Sequence, residues 1–227
     1  MYTLSNIELF SSLEGNKLRK LETACSWSPY EINTQIIDRQ SRSTNIFFVT
    51  KGTVRVVNYS LSGREVSFGD VESGGYFGEL AAIDSRPRSA SVVALSFCEL
   101  AMLKQKDFLT LLDEEPTVSR LLIENLTVTV RNATDRIMEL STVAANNRVQ
   151  FELLRRAQKF LLTNNCSEIR PIPLHSEIAS SVSTTRETVS RVMNDLARRG
   201  LVERKKNSIL IKDLNGLQEL INETQII

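Results

Sequence analysis

One histidine, His175, is the whole imidazole complement of this 227-residue chain, and no nucleophile–base pair can be picked out around it. That argues against an enzyme and against a haem- or metal-based sensor, both of which need ligands or bases that the sequence does not supply. Cys25, Cys98 and Cys166 are odd in number and scattered, so a zinc site, a disulfide framework and an iron–sulfur cluster are all unexpected; the three thiols read as reduced and partly buried. No apolar run approaches membrane-spanning length, and residues 1–25 lack the basic-then-apolar layout of a signal peptide, so the expectation is a cytoplasmic protein with no membrane partner.

The near-balance of charge conceals an asymmetry. Residues 1–143 hold 15 Lys/Arg against 18 Asp/Glu, a net of −3, whereas residues 144–227 hold 13 against 9, a net of +4. The C-terminal part is therefore the one to examine for a nucleic-acid partner.

What the chain does contain is a dense stretch from Phe77 to Val92, FGELAAIDSRPRSASV. A turn opening near Gly78 would present free N–H groups and a positive dipole end to an anion. Arg88 can fork onto two phosphate oxygens, and Ser89 can donate one more hydrogen bond. Glu79, which only accepts, would repel that phosphate unless it turned toward hydroxyls such as those of a ribose. A ribose fused to a phosphate meets all three demands, although a surface ion pair uses the same residue types. The stretch resembles the phosphate-binding cassette of the cyclic-nucleotide-binding domain family. The resemblance implies that Glu79 holds the ribose 2′-hydroxyl, while Arg88, Ser89 and the backbone around Gly78, Leu80 and Ala81 hold the cyclic phosphate. Replacing Arg88 by Leu is expected to abolish nucleotide binding and to leave the fold intact.

The surrounding pattern gives that stretch a context. Residues 4–24 read as short helical pieces. From Tyr30 to Leu103 short β-rich runs follow, at Ile46–Val49, Thr53–Tyr59, Glu65–Phe68 and Ser91–Leu103, with turns at Gly52, Ser62-Gly63 and Gly74-Gly75. Val54, Val56 and Asn58 alternate with Arg55, Val57 and Tyr59, as on a half-buried strand. An antiparallel β-roll or jelly roll fits, with residues 78–85 as a helical insertion. Pro116 then opens a long helix, about Thr117 to Ala144, roughly 42 Å in length. On it Leu126, Val130, Ala133, Ile137, Leu140 and Ala144 repeat at intervals of four and three, the seam of a two-stranded coiled coil. Asn146-Asn147 interrupts the register and reads as a boundary. A second helix follows, with Val149, Leu153, Leu154, Ala157, Phe160 and Leu161 buried, Arg155-Arg156 on a solvated face, and Asn164-Asn165 at its end.

Residues 174–197 carry a helix-turn-helix pattern. Ile178, Ala179 and Val182 face inward from a short helix, Ser183 takes the turn position that often holds glycine, and Thr184 to Glu187 form a capping box for the next helix. Val189 and Val192 close the angle between the two. Thr185, Arg186, Glu187, Ser190 and Arg191 line the exposed side, where arginine can bridge guanine O6 and N7 and glutamate can accept from cytosine N4. A Glu187–Arg191 ion pair four residues apart is the plainer alternative. Strands at Leu201–Arg204 and Ser208–Ile211, turning at Lys206-Asn207, follow as a hairpin, and Leu214–Glu223 reads as a terminal helix.

Arg186-Glu187-Thr188-Val189 followed by Arg191 resembles the recognition helix of the cyclic-AMP receptor protein (CRP/FNR) family of bacterial transcription regulators, and with the cassette and the seam helix the resemblance covers nearly the whole chain. It implies an α+β chain in three parts: a cyclic-nucleotide-binding β-roll over 1–116, a dimerisation helix and hinge over 117–145, and a winged helix-turn-helix over 146–227. It implies cAMP as effector, with cGMP as the other candidate. Ala133 and Thr134 stand where the best-known member carries two hydroxyls for the adenine amino group, and Ala133 has none to offer. The implied partners are double-stranded DNA with TGTGA-like half-sites, a second copy of the chain, and RNA polymerase, with Arg204, Lys205 and Lys206 on DNA phosphates. A family member with a different effector or none, and a nucleotide-binding regulatory module that never meets DNA, are the two alternatives.

Overall fold

The run Ile46-Phe47-Phe48-Val49 is buried at every position, which a strand achieves only with a core on each of its faces. In the computed structural model, which describes residues 3–60, 65–163 and 165–223, this strand lies at the centre of the N-terminal half. The expected Ser62-Gly63 turn and Asn164 lie outside the described residues. The chain divides into two compact units, residues 1–130 and 131–227.

In the first unit a 3-10 turn (Glu8–Phe10) and α1 (Gly15–Ala24) precede β1 (Ser26–Tyr30), β2 (Gln35–Ile37), β3 (Ile46–Lys51), β4 (Thr53–Tyr59), β5 (Glu65–Glu72) and β6 (Tyr76–Phe77). Then come α2 (Glu79–Asp84), β7 (Ser91–Ala94), β8 (Cys98–Leu103), α3 (Gln105–Glu114) and α4 (Pro116–Thr142), the last running past residue 130 into the second unit. The strands form two antiparallel four-stranded sheets, ordered β1-β8-β3-β6 and β2-β7-β4-β5. Phe47 and Val49 face Val54, Val92, Ala94 and Leu100 inside the roll. Ile46 and Phe48 face the helices, against Leu9, Phe10, Phe108, Val118 and Leu122.

Several expectations need correction. The run 91–103 is two strands, not one, and α3 separates the roll from the long helix. Strict alternation on β4 fails: Val54 and Val57 are buried, three residues apart, because Val56 pairs with Gly69 while Val57 pairs with Ser67. That leaves Phe68 as an extra, bulged residue on β5. The long helix stops at Thr142, so Ala144 falls outside it and precedes the next helix.

In the second unit α5 (Ala145–Ala157), β9 (Leu161–Thr163), β10 (Cys166–Ile169), α6 (His175–Ser181), α7 (Arg186–Arg198), β11 (Val202–Arg204), β12 (Ile209–Ile211) and α8 (Leu214–Glu223) surround one core. Its sheet runs β11-β12-β10-β9. Asn146-Asn147 is not the break in the chain; both residues lie in the first turn of α5, where Asn147 is buried, and the break sits at Val143-Ala144. The helical stripe also ends early. Phe160 and Leu161 are exposed, because the helix gives way after Ala157 to a 3-10 turn and a strand. The Ser167 hydroxyl holds that change by donating to the carbonyls of Ala157 and Phe160. Arg155 and Arg156 are paired with the buried Glu152, so they form more than a solvated face.

Candidate functional sites

Gly78 joins β6 to α2 in a left-handed conformation, φ 85°, which glycine adopts without strain. A Cβ there would lie 2.5 Å from Arg88 Nη1 and 3.1 Å from the Asn45 carbonyl, so the glycine also makes room for the arginine. Arg88 is 4% exposed. Its Nη1 donates to Gly78 O at 2.9 Å, its Nη2 to Asn45 O at 2.7 Å and its Nε to Ser43 Oγ at 3.1 Å. The guanidinium also lies over the Phe47 ring, 5.9 Å from its centroid. Three of its five N–H groups are engaged in this way, which leaves two for an anion. Arg88 is thus bonded into the roll as well as a candidate phosphate ligand, so its loss is expected to weaken the fold as well as binding.

Glu79, the first residue of α2, is half-buried. Burial pushes its carboxyl above the usual range, opposed by backbone hydrogen bonds and by the Arg88 charge. Burial likewise lowers the Arg88 pKa, with Glu79 pulling the other way. Ala81 is buried, so only its backbone is available to a ligand, while Leu80 is exposed. Ser89 is exposed, and its carbonyl accepts from Asn58 Nδ2 at 3.2 Å. Asn58 Oδ1 is buried, with no hydrogen-bond partner among the described residues. Gly78 and Glu79 thus open α2, and Arg88 and Ser89 lie in the loop that leads from α2 to β7, with Arg88 bonded back to Gly78. Ala133 and Thr134 are exposed neighbours on α4.

α4 displays the expected stripe. Val130, Ile137 and Leu140 are exposed, Leu126 is half-buried, and Ile123, missed in the sequence, extends the four-three spacing by one step at 63% exposure.

At the helix-turn-helix, Ser183 has φ 52°, the left-handed geometry for which glycine is commonly chosen. Thr185, not Thr184, caps α7, and its hydroxyl accepts from the Thr188 N–H at 3.3 Å. Glu187 hydrogen-bonds its own backbone N–H and the Thr185 hydroxyl, which keep its carboxyl below the usual range. Arg191 reaches Asn146 Oδ1 at 3.3 Å. Thr185, Arg186, Glu187 and Arg191 are exposed, Ser190 is half-buried, and Glu187, Ser190 and Arg191 line an open concavity together with Asn194 and Arg198. Arg204, Lys205 and Lys206 are exposed on the β11–β12 hairpin. His175, at the start of α6, is held below its usual pKa by burial and then by the charges of Arg204 and Arg186.

Sequence reasoning missed the side chains that hold the turn. Arg148 donates to three carbonyls, Val143 (2.7 Å), Val182 (3.0 Å) and Ser183 (3.3 Å), and Arg136 donates to Ser181 O at 2.9 Å. Nothing in the spacing marks either arginine.

A cyclic nucleotide-binding domain model matches residues 28–115, and a Crp-like helix-turn-helix domain model matches residues 148–220. The cyclic AMP receptor protein of Thermus thermophilus is 33% identical over 175 residues, covering 77% of this chain and 78% of the relative. The chain belongs to the CRP/FNR family. That makes it a cyclic-nucleotide-binding, DNA-binding transcription regulator rather than an enzyme. Two solved CRP/FNR-type structures agree in fold. A CooA mutant from Carboxydothermus hydrogenoformans has a TM-score of 0.78 at 22% identity, covering 94% of each chain. The c-di-GMP-responsive regulator CLP of Xanthomonas campestris has a TM-score of 0.75 at 18% identity, covering 87% of this chain and 99% of that one. No helix among the described residues of this CRP/FNR protein is long and apolar enough to cross a membrane.

Proposed function

We propose that the protein is a cytoplasmic, cAMP-responsive homodimer that binds palindromic DNA. The observation that supports the reading is the stretch from Gly78 to Arg88, which supplies a forked cation and an acid, the groups suited to a cyclic phosphate and a ribose. In this reading residues 1–116 bind the nucleotide, 117–145 form the dimer helix and hinge, and 146–227 read DNA. Leu80 and Ala81 offer backbone N–H groups, and Ser89 its hydroxyl, to the phosphate. Thr134 reaches the base, where Ala133 adds no hydrogen bond. A second copy covers the apolar stripe of α4, since a coiled-coil seam left in water would expose Ile123, Val130, Ile137 and Leu140 together.

Nucleotide binding acts as a population shift, biasing DNA binding only by its differential affinity for the two arrangements of the dimer. Two copies of α7 then enter major-groove half-sites about 34 Å apart. Arg186 and Arg191 take guanines and Glu187 takes a cytosine of TGTGA-like half-sites, Thr185 and Ser190 contact the flanking groove, and RNA polymerase is the downstream partner. The pairing of Glu187 with Thr185 and of Arg191 with Asn146 supports this, because neither side chain is spent on the other.

A second reading, a different effector in the same fold, is favoured by Ala133 and by the fold this chain shares with the c-di-GMP-responsive regulator of Xanthomonas campestris. Calorimetric titration of the purified dimer with cAMP, cGMP and c-di-GMP separates the two, followed by DNA binding with and without the ligand that binds. The expected result is cAMP binding that raises affinity for a TGTGA palindrome. Binding of c-di-GMP alone, or DNA affinity indifferent to cAMP, would overturn the first reading.

A further inference from the structure

Glu168 is a carboxylate that the function above does not use. It sits on β10 opposite Leu210 of β12, 9% exposed, at the end of the sheet where the β11–β12 hairpin turns. Burying an ionised carboxylate is costly unless cations and hydrogen bonds surround it. They do here. Ser208 Oγ donates to Oε1 at 2.6 Å, Arg170 Nη2 donates to Oε2 at 2.7 Å, and Lys205 Nζ lies 3.6 Å from Oε1. These contacts hold the carboxyl at about 2, so it stays charged at any ordinary pH. The backbone ties the same region together: Ile172 N–H donates to Asn207 O, and Lys205 N–H to Ser208 O.

The result is a concavity of about 270 Å³ lined by Glu168, Arg170, Lys205, Lys206, Asn207 and Ser208. One acid stands against three cations, an excess of two positive charges. The Arg170 side chain is 66% exposed and that of Lys205 43%. The guanidinium is thus open to solvent and oriented by the N–H that Glu168 engages. The same hairpin carries Arg204, so the cluster adds to the cations of the β11–β12 turn that the function above assigns to DNA phosphates.

We infer that Arg170 is a DNA phosphate contact, aimed by the buried Glu168 and acting with Lys205 and Lys206 as one backbone-binding cluster at the wing. Glu168 touches no DNA and is a positioning residue. The inference rests on the DNA-binding reading above and adds to it a cation outside both the recognition helix and the hairpin. It also divides the work of the hairpin: Lys205 is anchored to Glu168, and Lys206 completes the cluster.

The test uses the full-length protein and measures duplex affinity by fluorescence anisotropy from about 50 to 200 mM salt. Arg170→Gln should make the slope of log K against log salt shallower by about 0.9, and should weaken specific and scrambled duplexes by the same factor. Arg170→Lys, which keeps the charge, should restore the slope. Melting of Arg170→Gln is followed in parallel, since a purely structural role would lower the melting temperature without moving the slope. A slope equal to wild type in Arg170→Gln overturns the inference, including the case in which the cluster serves a protein partner. A wild-type chain with no salt-dependent duplex binding would instead overturn the parent reading, and this one with it.

Discussion

Replacing Arg88 by Leu tests the roll and the ligand site together. The substitution removes a guanidinium that is 4% exposed and leaves the carbonyls of Gly78 and Asn45, now bonded at 2.9 and 2.7 Å, without those donors. Gly78 O keeps the bond it accepts from the Ala82 N–H at 3.3 Å, so Asn45 O is the acceptor left unmatched, at a cost of about 2 kcal/mol, the middle of the usual 1–3 range. The Ser43 hydroxyl and the contact with the Phe47 ring are lost as well, while leucine returns some apolar burial. At about 3 °C per kcal/mol for a unit of this size, the melting temperature should fall by about 6 °C. Calorimetric melting of Arg88→Leu and Arg88→Lys measures this, with the lysine variant in between because it keeps a charge but not the fork. Nucleotide titration below the variant's midpoint then separates lost binding from lost fold. A melt within about 2 °C of wild type would refute the structural role of Arg88. Wild-type nucleotide affinity in the folded Leu variant would remove Arg88 from the phosphate site.

Two further outcomes follow from the same structure. Glu79 has a folded pKa raised above its unfolded value, chiefly by burial, so the fold is favoured while the group is protonated and loses stability as pH rises from the unfolded value through the folded one. Glu79→Gln should therefore melt no lower than wild type at neutral pH, and lose ribose recognition; a lower melt would contradict the burial argument. Ile137 is 64% exposed in the single chain, so Ile137→Asp should leave the fold unchanged and shift sedimentation toward the monomer, whereas an unaltered dimer would place the interface elsewhere.

The parts of the chain that were legible in advance are those where local chemistry and global packing coincide. Arg186 to Arg191, the Gly78 turn and the α4 stripe each follow one spacing rule, and no distant residue interferes. β1 went unread because Pro29 argues against a strand, yet β1 is the edge of its sheet, where a missing N–H is tolerated. Phe160 and Leu161 continue the helical stripe of α5 perfectly well on paper. What ends the helix is the Ser167 hydroxyl, ten residues past Ala157, and no period reports a contact of that kind. The same holds for Arg88: its phosphate chemistry is visible in the sequence, whereas its bonds to Asn45 and Ser43 span more than forty residues.

The three carbonyls gathered by Arg148 bear on how far this reading head can be moved between proteins. Val182 and Ser183 belong to the helix-turn-helix, but the side chain that satisfies them comes from α5, and the same guanidinium also holds Val143. A graft that carried only residues 174–200 into another scaffold would leave those two carbonyls bare at the bend that sets the angle of α7. The portable segment therefore begins near Val143, some thirty residues before the motif by which it is recognised.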